Sequence, residues 1–179
     1  KYGVRSLDGE QAPNLPVLAW DGKGSRLLVI YTKEAKLKMF VYDVVANIKR
    51  FQQGIEGVDQ VIDAGFMLDA NTLLFSAVKN GNTDIFTYRI DNGKLKQLTN
   101  DVYDDLDPTV VSFPGRTGVI FASDRPSPNA INADTALPSR NHFNIFLVDL
   151  INNSEFKQIT QLTNVKYGNA RYPTQYNLN

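Results

Sequence analysis

Apolar and polar positions along this chain alternate in short bursts and not in helical register. Leu27-Leu28-Val29-Ile30-Tyr31, Leu73-Leu74-Phe75-Ser76 and Val119-Ile120-Phe121-Ala122-Ser123 are strand-length runs rich in β-branched and aromatic residues, which suit a pleated, buried surface. Turn-forming clusters bound each run, and no stretch of helical period is long enough to require a crossover helix. The pattern predicts short antiparallel strands. Asn80-Gly81 and Asn92-Gly93 mark two hairpins, because the tight turns that match strand twist need positive φ, which Asn and Gly tolerate.

The bursts repeat. Each of the three runs follows an aromatic residue and a tight turn: Trp20 before Asp21-Gly22-Lys23-Gly24, Phe66 before Met67-Leu68-Asp69-Ala70-Asn71, and Phe113 before Pro114-Gly115-Arg116-Thr117-Gly118. Trp20 to Phe66 is 46 positions, and Phe66 to Phe113 is 47. A second element recurs in step, as Met39-Phe40-Val41-Tyr42-Asp43, Ile85-Phe86-Thr87-Tyr88-Arg89 and Ile145-Phe146-Leu147-Val148-Asp149. Phe40 to Phe86 is again 46, but Phe86 to Phe146 is 60, so 14 extra residues fall inside the third unit, between Asp124 and Asn141. A third element closes each unit: Lys49-Arg50-Phe51, Lys96-Gln97-Leu98-Thr99-Asn100, and Gln161-Leu162-Thr163-Asn164.

A near-constant period of this length, with four strands per unit, predicts an all-β fold. It is a β-propeller fragment of about three four-stranded antiparallel blades plus partial blades at both ends. The boundaries are 1–12 for the end of a preceding blade or linker, 13–60, 61–107 and 108–172 for three blade-like repeats, and 173–179 for the start of a further blade. The third repeat carries an insertion over 126–142. Phe40, Phe86 and Phe146 are expected at equivalent inner-strand positions, packed between neighbouring blades.

Leu98-Thr99, Asp107-Pro108, Phe113-Pro114-Gly115 and the run ending Ser123-Asp124-Arg125 resemble the TolB-like repeat, also called the WD40-like or PD40 β-propeller repeat. The third unit matches best, with Asn144-Ile145-Phe146 in place of the family's Asp-Ile-Tyr strand. The first unit keeps Trp20 and an Asp-Gly turn but lacks Leu-Thr and Ser-Asp-Arg, and the second has Ala77-Val78-Lys79 where the Arg motif stands. The resemblance implies a closed ring of six or more blades, so more propeller sequence is expected beside this segment in a larger bacterial envelope protein. Trp20, Phe66, Phe113, Asp124 and Arg125 are then structural motif residues, with Arg125 in a local ion pair or bonded to carbonyls across its hairpin.

Composition narrows the function classes. The chain has 179 residues, 42% hydrophobic and 21% charged, an ordinary globular balance. Nineteen basic residues offset nineteen acidic ones, leaving no net field to draw nucleic acid or anionic lipid. Cysteine is absent, which excludes disulfides, thiolate metal ligands and cysteine nucleophiles. No apolar run reaches the roughly 20 residues that span a bilayer. The start Lys1-Tyr2-Gly3-Val4 carries no secretory pattern, so any targeting signal is expected outside this segment.

Candidate sites are few. Asp101, Asp104, Asp105 and Asp107 could offer oxygens to calcium, but their spacing is not that of an EF-hand and the required Gly is missing. The competing reading has Asp107 capping a turn before Pro108 while the others face water; no metal is assigned. His142 is the single histidine and no G-x-S-x-G elbow surrounds a serine, so a hydrolytic triad has no context. The insertion supplies Asn129, Asp134, Arg140 and His142 as candidate binding residues, since long loops in compact folds are often functional. Arg171 and Tyr172 are of types that recur at interfaces. No catalytic residue and no cofactor is assigned.

These features predict a non-enzymatic scaffold for protein–protein interaction, periplasmic or outer-membrane-associated, with an unidentified protein partner and the rest of the propeller as its contacts. The alternative is the gating propeller of a prolyl-oligopeptidase- or tricorn-like serine peptidase, with the chemistry in another domain. A sialidase-type propeller is disfavoured, because its Ser-x-Asp-x-Gly-x-x-Trp box is absent.

Overall fold

A computed structural model describes residues 15–126, 138, 142–150 and 159–175. These form twelve strands: β1 (Val17–Trp20), β2 (Arg26–Lys33), β3 (Lys36–Asp43), β4 (Ile48–Gly54), β5 (Gln60–Phe66), β6 (Thr72–Lys79), β7 (Asn82–Arg89), β8 (Leu95–Gln97), β9 (Asp105–Phe113), β10 (Arg116–Ser123), β11 (Asn144–Leu150) and β12 (Ile159–Gln161). They make three four-stranded antiparallel meanders, β1 to β4, β5 to β8 and β9 to β12. No helix occurs among the described residues, so none there is long and apolar enough to cross a membrane.

Turn chemistry sets the strand register. Asn80 and Gly81, at φ 53° and 85°, make the two-residue turn that pairs Lys79 with Asn82. The β2–β3 turn has the same form, pairing Lys33 with Lys36, yet holds Glu34 and Ala35 at φ 53° and 58°. That conformation crowds Cβ against the backbone. The Asn92-Gly93 turn is longer: Gly93 alone is left-handed, at φ 69°, and the Arg89 N–H donates to the Lys94 carbonyl at 2.9 Å.

Alternation sends each strand's side chains to opposite faces, and the sheets stack through both. Leu28, Ile30, Met39 and Val41 of the first sheet meet Leu73, Phe75, Ala77, Phe86 and Tyr88 of the second. The second sheet's opposite face, with Leu74 and Ile85, meets Val119, Phe121, Phe146 and Val148 of the third. On the third sheet's far side, Val111, Ile120, Ala122 and Ile145 are covered in part by Phe143 and Ala170. The packing is tight at Gly118, where an added Cβ would sit 2.9 Å from both Leu147 and the Val148 carbonyl oxygen.

Phe40, Phe86 and Phe146 occupy equivalent register positions, opposite Val29, Phe75 and Phe121. They stand on third strands, however, and not on inner ones. The sheets approach one another most closely through the first strands β1, β5 and β9, and through β6 and β7 against β9. The first strand of each meander is therefore the inner one. Phe86 and Phe146 still pack between neighbouring sheets, at 0% and 2% exposure. Phe40 lies under its own sheet's Lys49, with Nζ 4.5 Å from the ring centroid, and against the edge of Tyr31.

Candidate functional site: the junction after the second sheet

The closing Leu-Thr pairs build the same clasp twice. In the second unit the Ile85 N–H donates to Thr99 Oγ1 at 2.8 Å, and the Ile85 carbonyl accepts the N–H groups of Leu98 at 2.7 Å and Thr99 at 3.3 Å. In the third, the Ile145 N–H donates to Thr163 Oγ1 at 2.8 Å, and its carbonyl accepts Leu162 at 2.8 Å and Thr163 at 3.3 Å. The residue before each isoleucine completes the clasp. Asp84 accepts from Gln97 Nε2 at 2.9 Å and the Asp101 N–H at 3.4 Å, while Asn144 Oδ1 accepts from Thr163 Oγ1 at 3.1 Å and the Val165 N–H at 2.9 Å. Asp101 and Val165 each stand three residues after the leucine of their pair. The outer strand is thereby pinned where the chain leaves for the next unit.

The first unit has no such clasp. Lys38 stands one residue before Met39, where the others have Asp84 and Asn144, and the Leu37 carbonyl takes the Ile55 N–H at 3.0 Å instead.

Arg125 ties the second clasp to the third sheet. Its Nη2 donates to both Asp105 oxygens at 2.9 Å and to Asp101 Oδ2 at 3.2 Å, and its Nε donates to Ser123 Oγ at 2.9 Å. Its guanidinium also lies 5.4 to 5.5 Å from the ring centroids of Tyr103, Phe121 and Phe146. The Asp105 carbonyl accepts the buried Ser76 hydroxyl at 2.7 Å, and Asp124 Oδ1 accepts the Asp104 N–H at 2.9 Å. Arg125 is thus no local pair with Asp124. A five-donor fork reaches past its own hairpin because two carboxylates from the preceding connection present themselves to it.

Burial dominates the electrostatics here. Asp105 is fully buried, which pushes its carboxyl up to about 6 against the pull of Arg125 and Ser123. Burial likewise raises Asp84, offset in part by its donors, and raises Asp124.

The four acids of the 101–107 segment do not form one site. Asp101 and Asp105 join Asp84, with one carboxylate oxygen from each within 4.8 Å of the others. The Arg125 guanidinium already sits on two of these carboxylates, so the donor set fits a buried salt-bridge cluster and no calcium step is derived from it. Asp104 is exposed. Asp107 lies apart, in left-handed conformation at φ 53° beside the irregularity in β9 pairing. It does not cap a local turn: its carboxylate accepts from Arg171 and from the Tyr172 N–H, across 64 and 65 residues.

Trp20, Phe66 and Phe113 end β1, β5 and β9 at equivalent positions. Arg26 covers the Phe66 ring at 5.2 Å and donates to the Ala70 carbonyl at 2.6 Å, bridging the first two sheets. Its partner Asp21 is held down at about 2: burial works to raise it, but the N–H groups of Arg26 and Ser25, the Ser25 hydroxyl and the guanidinium outweigh that. Arg171 is engaged with Asp107, Tyr172 is exposed and His142 is half-buried. Asn129, Asp134 and Arg140 lie outside the described residues. Asp84 was not marked as a site residue by sequence reasoning, although Asp84-Ile85-Phe86 aligned with Asn144-Ile145-Phe146 contains the signal.

No family model matches the chain, and no curated protein matches it. Among solved structures, it is similar to TolB from Acinetobacter baumannii at a TM-score of 0.58 and 20% identity, covering 87% of this chain and 33% of that one. It is also similar to a putative TolB from Agrobacterium tumefaciens at 0.55 and 15%, covering 84% and 50%. A tricorn protease structure aligns at 0.49 and 14%, over 92% and 17%. The chain spans at most half the length of these structures. Its fold is that of a TolB-like β-propeller.

Proposed function

We propose that this TolB-like propeller segment is a non-catalytic scaffold for protein–protein interaction in the bacterial cell envelope. One observation carries the reading. Trp20 at 56%, Leu68 at 61% and Phe113 at 37% exposure sit at the turns joining the first two strands of each sheet. Val45, at 86%, lies in the β3–β4 turn at the same end. Exposed apolar side chains at equivalent turns of three successive sheets suit a protein partner, because aromatic and aliphatic anchors on a stiff support bind with little ordering cost.

The rest of the propeller is a second proposed contact. Tyr103 and Tyr167 each follow the leucine of their pair by five residues. Tyr103 lies under Arg125 of the following sheet, whereas Tyr167 is 82% exposed. A further sheet carrying an arginine would cover Tyr167 in the same way.

A photo-crosslinking residue at position 20 or 68, compared with one at position 34 at the opposite end, tests the scaffold reading. A discrete envelope-protein adduct from 20 and 68, absent from 34, is expected; the same adducts from all three would overturn it. The insertion over 126–142 is a further proposed contact, and deleting 127–141 should reduce partner binding.

A further inference from the structure

Two clasps of the same geometry differ in chemistry. In the third unit the completing residue is Asn144, and the positions three and seven residues after Leu162 are Val165 and Asn169. In the second unit the corresponding residues are Asp84, Asp101 and Asp105. The hydrogen-bonded clasp therefore does not need carboxylates. The second one nevertheless places three within 4.8 Å of one another, with Asp84 1% and Asp105 0% exposed.

One guanidinium faces these three acids. Ser123 from β10 and the Gln97 amide, itself bonded to Lys79 Nζ at 3.3 Å, supply neutral partners, while Asp124 and Asp104 add acid nearby. With every carboxyl ionised, the cluster carries two negative charges that Arg125 does not compensate, Asp84 and Asp105 being shielded from water and Asp101 partly exposed at its edge. Such a pair is costly in low dielectric, and sharing one proton removes most of the cost.

We propose that the Asp84–Asp101–Asp105–Arg125 cluster is a proton-sensitive latch between the second and third sheets, closed when the cluster holds a proton and loosened when that proton leaves. Loosening acts on the connection Asp101–Asp105 and so on Tyr103 and Arg125, the groups that seat the third sheet on the second. The upward shift of Asp105 agrees in direction. A carboxyl whose folded pKa lies above its unfolded one binds protons better when folded, so its contribution is complete below about 4 and is lost as pH rises through about 6. The third unit's clasp, built on an amide, should not respond.

The test uses the whole chain. Carboxyl carbon resonances are followed by NMR from pH 3 to 8, and urea midpoints are measured at pH 5 and 7.5 for the wild type, Asp105→Asn and Asp84→Asn. The expected result is an Asp105 midpoint near 6 and a wild-type urea midpoint lower at pH 7.5 than at pH 5. Asp105→Asn should flatten that difference, and Asp84→Asn, which mimics the Asn144 clasp, should reduce it. An Asp105 midpoint near the ordinary carboxyl value of about 4 would overturn the latch. An unchanged pH difference in both variants would do the same. The wild-type titration decides the matter even if one variant does not fold.

Discussion

The second and third sheets close through the same set of bonds to Thr99 and Thr163, while the first closes without them and also makes its β2–β3 turn from Glu34 and Ala35 instead of Asn and Gly. The difference teaches which parts of the repeat carry geometry and which carry chemistry. Strand pairing and face alternation persist in all three sheets. The threonine clasp accompanies the three-residue outer strand β8 and is absent beside the seven-residue β4. Acid or amide at its centre is a free choice, and that choice is where pH dependence enters.

Substitutions that separate the sheets should be costliest. Phe86→Ala and Phe146→Ala, each emptying a site closed by a second sheet, should lose about 3–5 kcal/mol in urea denaturation, whereas Phe40→Ala should lose clearly less. If all three cost the same, Phe40 is packed as deeply as its counterparts. Arg125→Met at pH 7.5 should cost on the order of 3–5 kcal/mol by leaving buried Asp105 without its cation. The loss should shrink at pH 5, where the Asp105 carboxyl, held at about 6, takes up a proton.

Smaller effects sharpen the comparison further. Thr99→Val and Thr163→Val each leave an isoleucine N–H without its acceptor, so each should cost about 1–3 kcal/mol, and by similar amounts. Unequal losses would show that the two clasps are not equivalent. Replacing Glu34-Ala35 with Asn-Gly should raise stability by about 1 kcal/mol, because Asn and Gly adopt the left-handed conformation at lower cost than Glu and Ala.

The fold was largely legible in the sequence, because the repeats at Trp20, Phe66 and Phe113 and at Phe40, Phe86 and Phe146 fix strand order and facing. Which strand lies innermost is not legible: period and alternation are the same for an inner and an outer strand, so they do not separate the third strands that carry Phe40, Phe86 and Phe146 from inner ones. The candidate site was legible only in pieces. Arg125, Asp101 and Asp105 stand out as charges, but nothing local says that the arginine reaches 20 and 24 residues back. The Glu34-Ala35 turn was invisible because neither residue favours positive φ, and only the pairing of β2 with β3 imposes it.

Amide hydrogen exchange at Ile85 and Ile145 tests most directly that one clasp is built twice and acts locally. Both amides should be strongly protected in the wild type, with Thr99→Val lowering protection at Ile85 alone and Thr163→Val at Ile145 alone. Weak protection at either amide in the wild type, or loss at both from a single substitution, would contradict the account.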